Sequence, residues 1–200
     1  MRSLSSLCAA TTILIAVQAC ADPVVENLSQ IRGNVAAGGQ GLTAFNIAAG
    51  DSNAQLNASA LAISVGQGVQ SLQLRQSISF SAIDPAQDSI STINENAFSN
   101  AQGALSVNQV SGVGNAQINA ISIGIGLGGA VIADVQLAAT TSGQPVSAPD
   151  EPQYRREARI EGQAFKGSSG LVQVNQLAGT GNATANSFQL SVELGAENPQ

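Results

Sequence analysis

The stretch GALSVNQVSGVGNAQINAISIGIGL, residues 103–127, decides the fold, because closely similar stretches occur twice more in the chain. GLTAFNIAAGDSNAQLNASALAISV, residues 41–65, and GLVQVNQLAGTGNATANSFQLSVEL, residues 170–194, align with it without a gap. The alignment extends eight residues upstream, which gives three repeats at residues 33–66, 95–128 and 162–195. Recurrence at such a period indicates one structural unit that stacks on its own copies.

The repeats divide the remaining chain into segments of unequal length. Residues 1–21 are expected to be a signal peptide and residues 22–32 an N-terminal mature segment, whereas residues 67–94 and 129–161 are linkers and residues 196–200 a tail. Alternating aliphatic residues at the start of both linkers can add strands, but residues 140–159 are expected to remain mobile. All six prolines lie outside the repeats, as stacked strands require.

Each repeat contains a Gly-x-x-Asn step between two alternating segments. Both residue types accept left-handed backbone conformations, so the step predicts a tight reversal between two strands. The turn glycines are Gly50, Gly112 and Gly179, and the asparagines are Asn53, Asn115 and Asn182. Each repeat is therefore predicted to be a strand-turn-strand arch.

The segment after the turn alternates with a period of two residues. In the second repeat, Ile121, Ile123, Ile125 and Leu127 share one face with Asn119, and small residues occupy the other face. This pattern is typical of a half-buried strand whose aliphatic side is the inner one. The predicted fold is all-β, with three arches stacked as a short β-solenoid or a cross-β arch stack.

Amide side chains recur at fixed positions on the inner parity of the arches. A buried unpaired amide costs about 1–3 kcal/mol, and stacking identical amides at about 4.8 Å removes that cost by pairing each with its copy. The predicted assembly ladder comprises Asn46, Asn108 and Asn175, then Asn53, Asn115 and Asn182, then Gln55 and Gln117, then Asn57, Asn119 and Asn186. The alternative is that these asparagines only mark turns.

Composition argues against enzymatic, metal-binding and nucleic-acid-binding functions. The chain has no histidine, its only cysteines are Cys8 and Cys20, and its formal net charge is −6. The usual general base, thiolate and transition-metal ligands are thus missing from the mature chain, and no basic patch exists for a polyanion. The sequence predicts no enzyme, no cofactor, no metal, no small-molecule substrate and no nucleic-acid partner. The charged run at residues 150–161 reads as a solvated linker.

The first 21 residues predict export. Arg2 precedes an uncharged stretch with an apolar centre at residues 13–17, which is too short to span a membrane. Ala19 to Ala21 supply a small-x-small cleavage site, whereas residues 17–20 also resemble a lipobox that would leave Cys20 lipidated. A secreted chain and a chain anchored through Cys20 both remain open.

The repeats resemble those of secreted functional amyloids, most closely the Pseudomonas-type (Fap) fibre proteins. The strings VNQVSGVGNAQIN from Val107 and VNQLAGTGNATAN from Val174 carry the resemblance, and FNIAAGDSNAQLN from Phe45 is the most divergent copy. Curlin repeats have a similar spacing of Gln, Gly, Asn and Ala residues, but they lack spacers of this length. The resemblance implies cross-β fibres on the bacterial surface, a biofilm matrix role, and partners that include homologous fibre subunits, an outer-membrane export pore and a periplasmic chaperone.

Two further questions stay open at the level of sequence. Some subunits of the resembling family carry a C-terminal Cys-x-x-Cys that is not found in residues 194–200, so the chain is expected to be either a major or a nucleating subunit. A monomeric β-solenoid adhesin or binding module is the alternative function, and a β-helix hydrolase is disfavoured because the carboxylates do not cluster.

Overall fold

The computed structural model describes residues 25–65, 68–83, 87–127, 131–145 and 154–195, which form strands joined by short turns. No helix in these ranges is long and apolar enough to span a membrane. The strands are β1 (Val25–Ile31), β2 (Gln40–Ala49), β3 (Ala54–Val65), β4 (Gly68–Ile83), β5 (Gln87–Ile93), β6 (Gln102–Val113), β7 (Ala116–Leu127), β8 (Val131–Pro145), β9 (Arg156–Ile160), β10 (Ser169–Thr180) and β11 (Ala183–Leu194).

The strands form three layers, one for each repeat. The first layer is β1–β4, the second is β5–β8 and the third is β9–β11, and equivalent strands of successive layers pair in parallel. The resulting sheets have the orders β1-β5-β9, β2-β6-β10, β3-β7-β11 and β4-β8, and they pack face to face in that sequence. The prediction of an all-β stack of repeats is confirmed.

Pairing between the layers is in register across the repeats. Asn46 lies beside Asn108, which lies beside Asn175, and the same holds for every paired position of β2, β6 and β10. Strands β3, β7 and β11 are aligned in the same way. Each paired residue of the middle repeat therefore has its equivalents about 4.8 Å above and below it.

The tight turn makes an arch rather than a hairpin. Strands β2 and β3 belong to different sheets, so their side chains face each other while their backbones pair with other layers. Gly112 has a φ of 123°, and a Cβ built there would lie 1.9 Å from the carbonyl oxygen of Gly179. Only glycine allows both this backbone conformation and this close approach between layers.

The two linkers contain strands, as the alternation of aliphatic residues had predicted. β4 lies within the first linker and pairs with β8 of the second, and β5 pairs with β9. The expected mobility of residues 140–159 is wrong at both ends of that segment, because β8 continues to Pro145 and β9 begins at Arg156. The charges of β9 thus lie on an ordered strand, where they pair with one another instead of remaining free in a linker.

The apolar core lies between the first two sheets and the turns that join them. Phe98 is fully buried, with its ring 5.1 Å from that of Phe45 and 5.0 Å from that of Phe165. Ile31, Ile93, Leu105 and Val107 complete the buried cluster around it. Phe98 has a φ of 59°, an unfavourable backbone conformation that its burial offsets.

The aliphatic face of β3 and of its equivalent β7 is covered only near the start of the strand: in the middle layer Ile121 is 2% exposed, Ile123 and Ile125 are half-buried, and Leu127 is 41% exposed. Asn57 lies opposite Asn46, to which it donates a hydrogen bond, so the residues near Val65 reach beyond the start of β2. Val65 is 86% exposed and Leu61 is 65% exposed, while the small residues of the other parity face β4. Alternation identified the two faces of the strand correctly, but not how far along the strand the aliphatic face is covered.

We expect Phe98→Ala to lower the free energy of unfolding of the assembled chain by about 3–5 kcal/mol, because it empties the centre of the aromatic cluster. The denaturant midpoint of assembled material measures this effect. Val65→Ala is the matched control, since even its middle-layer equivalent Leu127, with a layer on each side, is 41% exposed, and its midpoint should stay much closer to wild type. Equal losses for the two variants would contradict the assignment of the core.

Candidate assembly surface

The predicted ladder residues of the middle layer are among the most deeply buried polar groups of the described residues. Asn108, Asn115, Gln117 and Asn119 have no exposed surface. Their equivalents in the first layer are partly or fully exposed, because the first layer has a neighbour on one side only. Burial of these amides therefore depends on a layer being present above and below.

Two columns of asparagine face each other across the arch. In the first, the Asn108 Nδ2 donates to the Oδ1 of Asn46, and the Nδ2 of Asn175 donates to the Oδ1 of Asn108, both at 3.0 Å. In the second, Asn119 donates to Asn57 and Asn186 donates to Asn119, again at 3.0 Å. Both columns donate from the later layer to the earlier one, so the ladders have a direction.

The two columns are also cross-linked within and between layers. The Nδ2 of Asn119 donates to the Oδ1 of Asn108 in its own layer, at 3.0 Å. The Nδ2 of Asn175 donates to the Oδ1 of Asn119 in the layer below, also at 3.0 Å. The Asn119 Nδ2 further donates to the carbonyl oxygen of Val107, at 3.1 Å. Buried amides that form such a network fix the spacing of the strands as well as their register.

A third asparagine column lies at the tight turns. The Nδ2 of Asn115 donates to the Oδ1 of Asn53 at 2.9 Å, and the Nδ2 of Asn182 donates to the Oδ1 of Asn115 at 2.9 Å. Asn115 also donates from Nδ2 to the carbonyl oxygen of Gly179, at 2.8 Å. These asparagines thus mark the turn and stack between layers at once, so the two sequence interpretations are not exclusive at this position.

The glutamine pair makes a shorter column with the opposite polarity. The Nε2 of Gln55 donates to the Oε1 of Gln117 at 2.7 Å. Thr184 occupies the equivalent position of the third layer, and its buried hydroxyl has no hydrogen-bond partner among the described residues. The column ends in this chain at the layer where the sequence replaces glutamine by threonine.

Sequence reasoning missed a second glutamine pair. Gln176 donates from Nε2 to the Oε1 of Gln109 at 3.1 Å, and Gln109 donates to the carbonyl oxygens of Ser29 and Thr92 at 3.0 and 2.9 Å. The pair links β6 and β10 to the first sheet. The equivalent residue of the first repeat is Ile47, so a search for residues identical in all three repeats could not find this pair.

A glycine column was also missed, although the alignment contained its signal. Gly41, Gly103 and Gly170 are identical in the three repeats and have φ values of 87°, 111° and 106°. A Cβ on Gly103 would lie 2.3 Å from the Gly41 carbonyl oxygen, and one on Gly170 would lie 2.1 Å from that of Gly103. A Cβ on Gly41 would meet nothing within 4 Å, because no layer precedes it among the described residues.

The stack presents an unpaired strand edge at each end in its three complete sheets. β1, β2 and β3 are edge strands on one side, and β9, β10 and β11 are edge strands on the other. Such edges are templates for further strands of matching register. The predicted signal peptide and Cys20 lie outside the described residues, and the described residues contain no cluster of His, Cys, Asp or Glu that could hold a metal ion.

We expect Asn119→Ala to slow assembly several-fold and to lower the denaturant midpoint of the assembled chain. The substitution removes the hydrogen bonds that Asn119 makes in both columns. Its partners keep other bonds, as Asn57 keeps the one from Asn108, so we expect a loss near the lower end of the range of about 1–3 kcal/mol for an unsatisfied buried group. The matched control is Ser122→Ala on the same strand. Ser122 is equally buried, but its hydroxyl has no partner among the described residues, so its removal should cost little. Equal effects of the two substitutions would contradict a stabilising role for the column.

Comparison with known proteins assigns the chain that forms these stacked amide columns to a family. No solved structure matches the chain. The model of the functional amyloid protein FapB/FapC family matches residues 11–193, which include the first two repeats, both linkers and all but the last two residues of the third repeat. The resemblance that the repeat strings had indicated is thereby confirmed, and this is a family of structural amyloid subunits. The chain belongs to the functional amyloid protein FapB/FapC family.

Proposed function

We propose that this chain is a structural subunit of an extracellular amyloid fibre that contributes to biofilm matrix and to adhesion, and that it assembles by adding whole copies to the open ends of its layer stack. The observation that carries the proposal is the pairing of identical residues from layer to layer. Since the third layer offers the same asparagine columns as the second, the first layer of another copy can continue them.

The directed ladders support this mode of addition. The Oδ1 atoms of Asn175 and Asn186 lie in the last layer, where each is equivalent to an atom that accepts a bond from the following layer inside the chain. Asn46 and Asn57 of a second copy are the matching donors. Addition in the same orientation would therefore extend both columns and bury their end residues as the middle layer is buried.

The proposal includes export and places the protein outside the cell. Residues 1–21 have the pattern of a signal peptide, with cleavage after Ala21 or lipidation at Cys20 as its two possible products. Passage through an outer-membrane pore with the help of a periplasmic chaperone, and co-assembly with homologous subunits, are expected from the Fap-type resemblance. The proposed role requires no cofactor, substrate or nucleic acid.

Gly41→Ala tests whether copies add end to end in register. The new methyl group meets nothing within 4 Å in one copy, but in a continued stack it would press on the carbonyl oxygen of Gly170 of the preceding copy, as the 2.3 Å distance at Gly103 indicates. We expect the variant to form few or no fibres over a period in which the wild type polymerises completely, measured by dye fluorescence and sedimentation.

Gly38→Ala is the matched control for this experiment. Gly38 also has a positive φ, 69°, and open space around its Cβ position, so the backbone strain is comparable. Asn100 holds the equivalent position of the next layer at a φ of 54°, which shows that a Cβ is tolerated there between layers. Gly38→Ala should form fibres. If both variants polymerise normally, or if the wild type remains a folded monomer, the monomeric adhesin becomes the better function.

A further inference from the structure

The two ends of the first sheet carry charges that complement each other. Column by column, Glu26 is equivalent to Asp88 and then to Arg155, and Arg32 is equivalent to Asn94 and then to Glu161. The first member of each column lies at one end of the stack and the last member at the other. Both end pairs are of opposite sign, acidic with basic in one column and basic with acidic in the other.

The register of these columns follows from backbone hydrogen bonds. The Asn94 amide donates to the carbonyl oxygen of Ile31 at 3.0 Å, and the Glu161 amide donates to that of Ile93 at 2.8 Å. The amide of Ser89 donates to the carbonyl oxygen of Arg155 at 2.7 Å. All four end residues are exposed, although Arg155 is ion-paired with Glu157 at 2.7 Å within the chain, a partner that an incoming Glu26 would share or replace.

We propose that Glu26 and Arg32 of one copy pair with Arg155 and Glu161 of the preceding copy, and that these two ion pairs select the partner and the register when copies join. The partner is a second copy of this chain, and the inference rests on the proposed function. Two pairs of reversed sign at the two ends of a seven-residue strand favour one alignment, because sliding the strands along each other separates both pairs.

Other charges near this junction do not oppose it. Glu157 falls in the column of Leu28, and Arg159 falls in the column of Gln30, so no like charges meet. Arg159 and Glu161 form an exposed ion pair of 3.3 Å within the chain, which is weak enough for Glu161 to turn to an incoming Arg32. Within the chain, the neutral Asn94 lies between Arg32 and Glu161, whereas the charged Asp88 lies between Glu26 and Arg155. The column of Arg32 and Glu161 is therefore the one to test, because its middle residue adds no charge.

The test uses two charge reversals, Arg32→Glu and Glu161→Arg, alone and mixed. Alone, each variant places like charges at every junction, Glu on Glu or Arg on Arg. We expect growth about fivefold slower than wild type for either variant at low ionic strength, where charges are weakly screened. In an equimolar mixture, alternating copies restore opposite charges at every junction. The mixture should therefore grow several-fold faster than either variant alone, as measured by sedimentation of labelled chains of both kinds.

The mixture separates the pairing from damage to the fold of either variant. A variant that grows slowly because its own layers are distorted remains slow in the mixture, and this result would overturn the proposal. Normal growth of both single variants would overturn it as well. At about 1 M salt, where the screening length is about 3 Å, the differences between variants should largely disappear. Wild-type chains grown in parallel test the proposed function. If the wild type forms fibres but the mixture is not rescued, only the proposal of the ion pairs is contradicted. If the wild type forms no fibres, both proposals are contradicted.

Discussion

The constraint on which the structure depends is that every residue of a layer lies about 4.8 Å from its own equivalent in the next layer. A residue type is acceptable at a repeated position of such a stack only if it tolerates an identical residue directly above and below it. Glycines at Gly103 and Gly112 satisfy this where backbones approach too closely for a Cβ, and asparagines satisfy it because one amide both donates and accepts. A repeated charge does not satisfy it, and the repeats contain few charged residues.

The asparagine columns give the stack a direction, because the amide-to-amide hydrogen bonds along each column run from the later layer to the earlier one. Asn108, Asn119 and Asn115 each donate to the preceding layer and accept from the following one, so the two faces of a layer differ. A copy of the chain therefore has a donor end and an acceptor end. In the proposed mode of addition, this asymmetry would let a chain with three repeats continue its asparagine columns from copy to copy without a new kind of contact.

The linkers repeat in structure although they hardly repeat in sequence. β4 and β8 are parallel partners over most of their length, yet few of the residues they pair are identical, as Leu72 beside Val135 and Arg75 beside Ala138 illustrate. Strands at the border of the stack need only alternation and a compatible backbone, because their side chains are less crowded than those between β6 and β7. Identity across repeats thus finds the crowded positions and overlooks the exposed ones.

The sequence by itself determined the all-β class, the three layers, the arch at each Gly-x-x-Asn step and the positions of most stacked amides, because these depend on a local period and on identity between repeats. Only the tertiary structure decided how far along β3 the aliphatic face is covered, that β9 is ordered, and that Gln109 and Gln176 bind the first sheet. These features depend on where one strand ends relative to another. Neither composition nor periodicity specifies that distance.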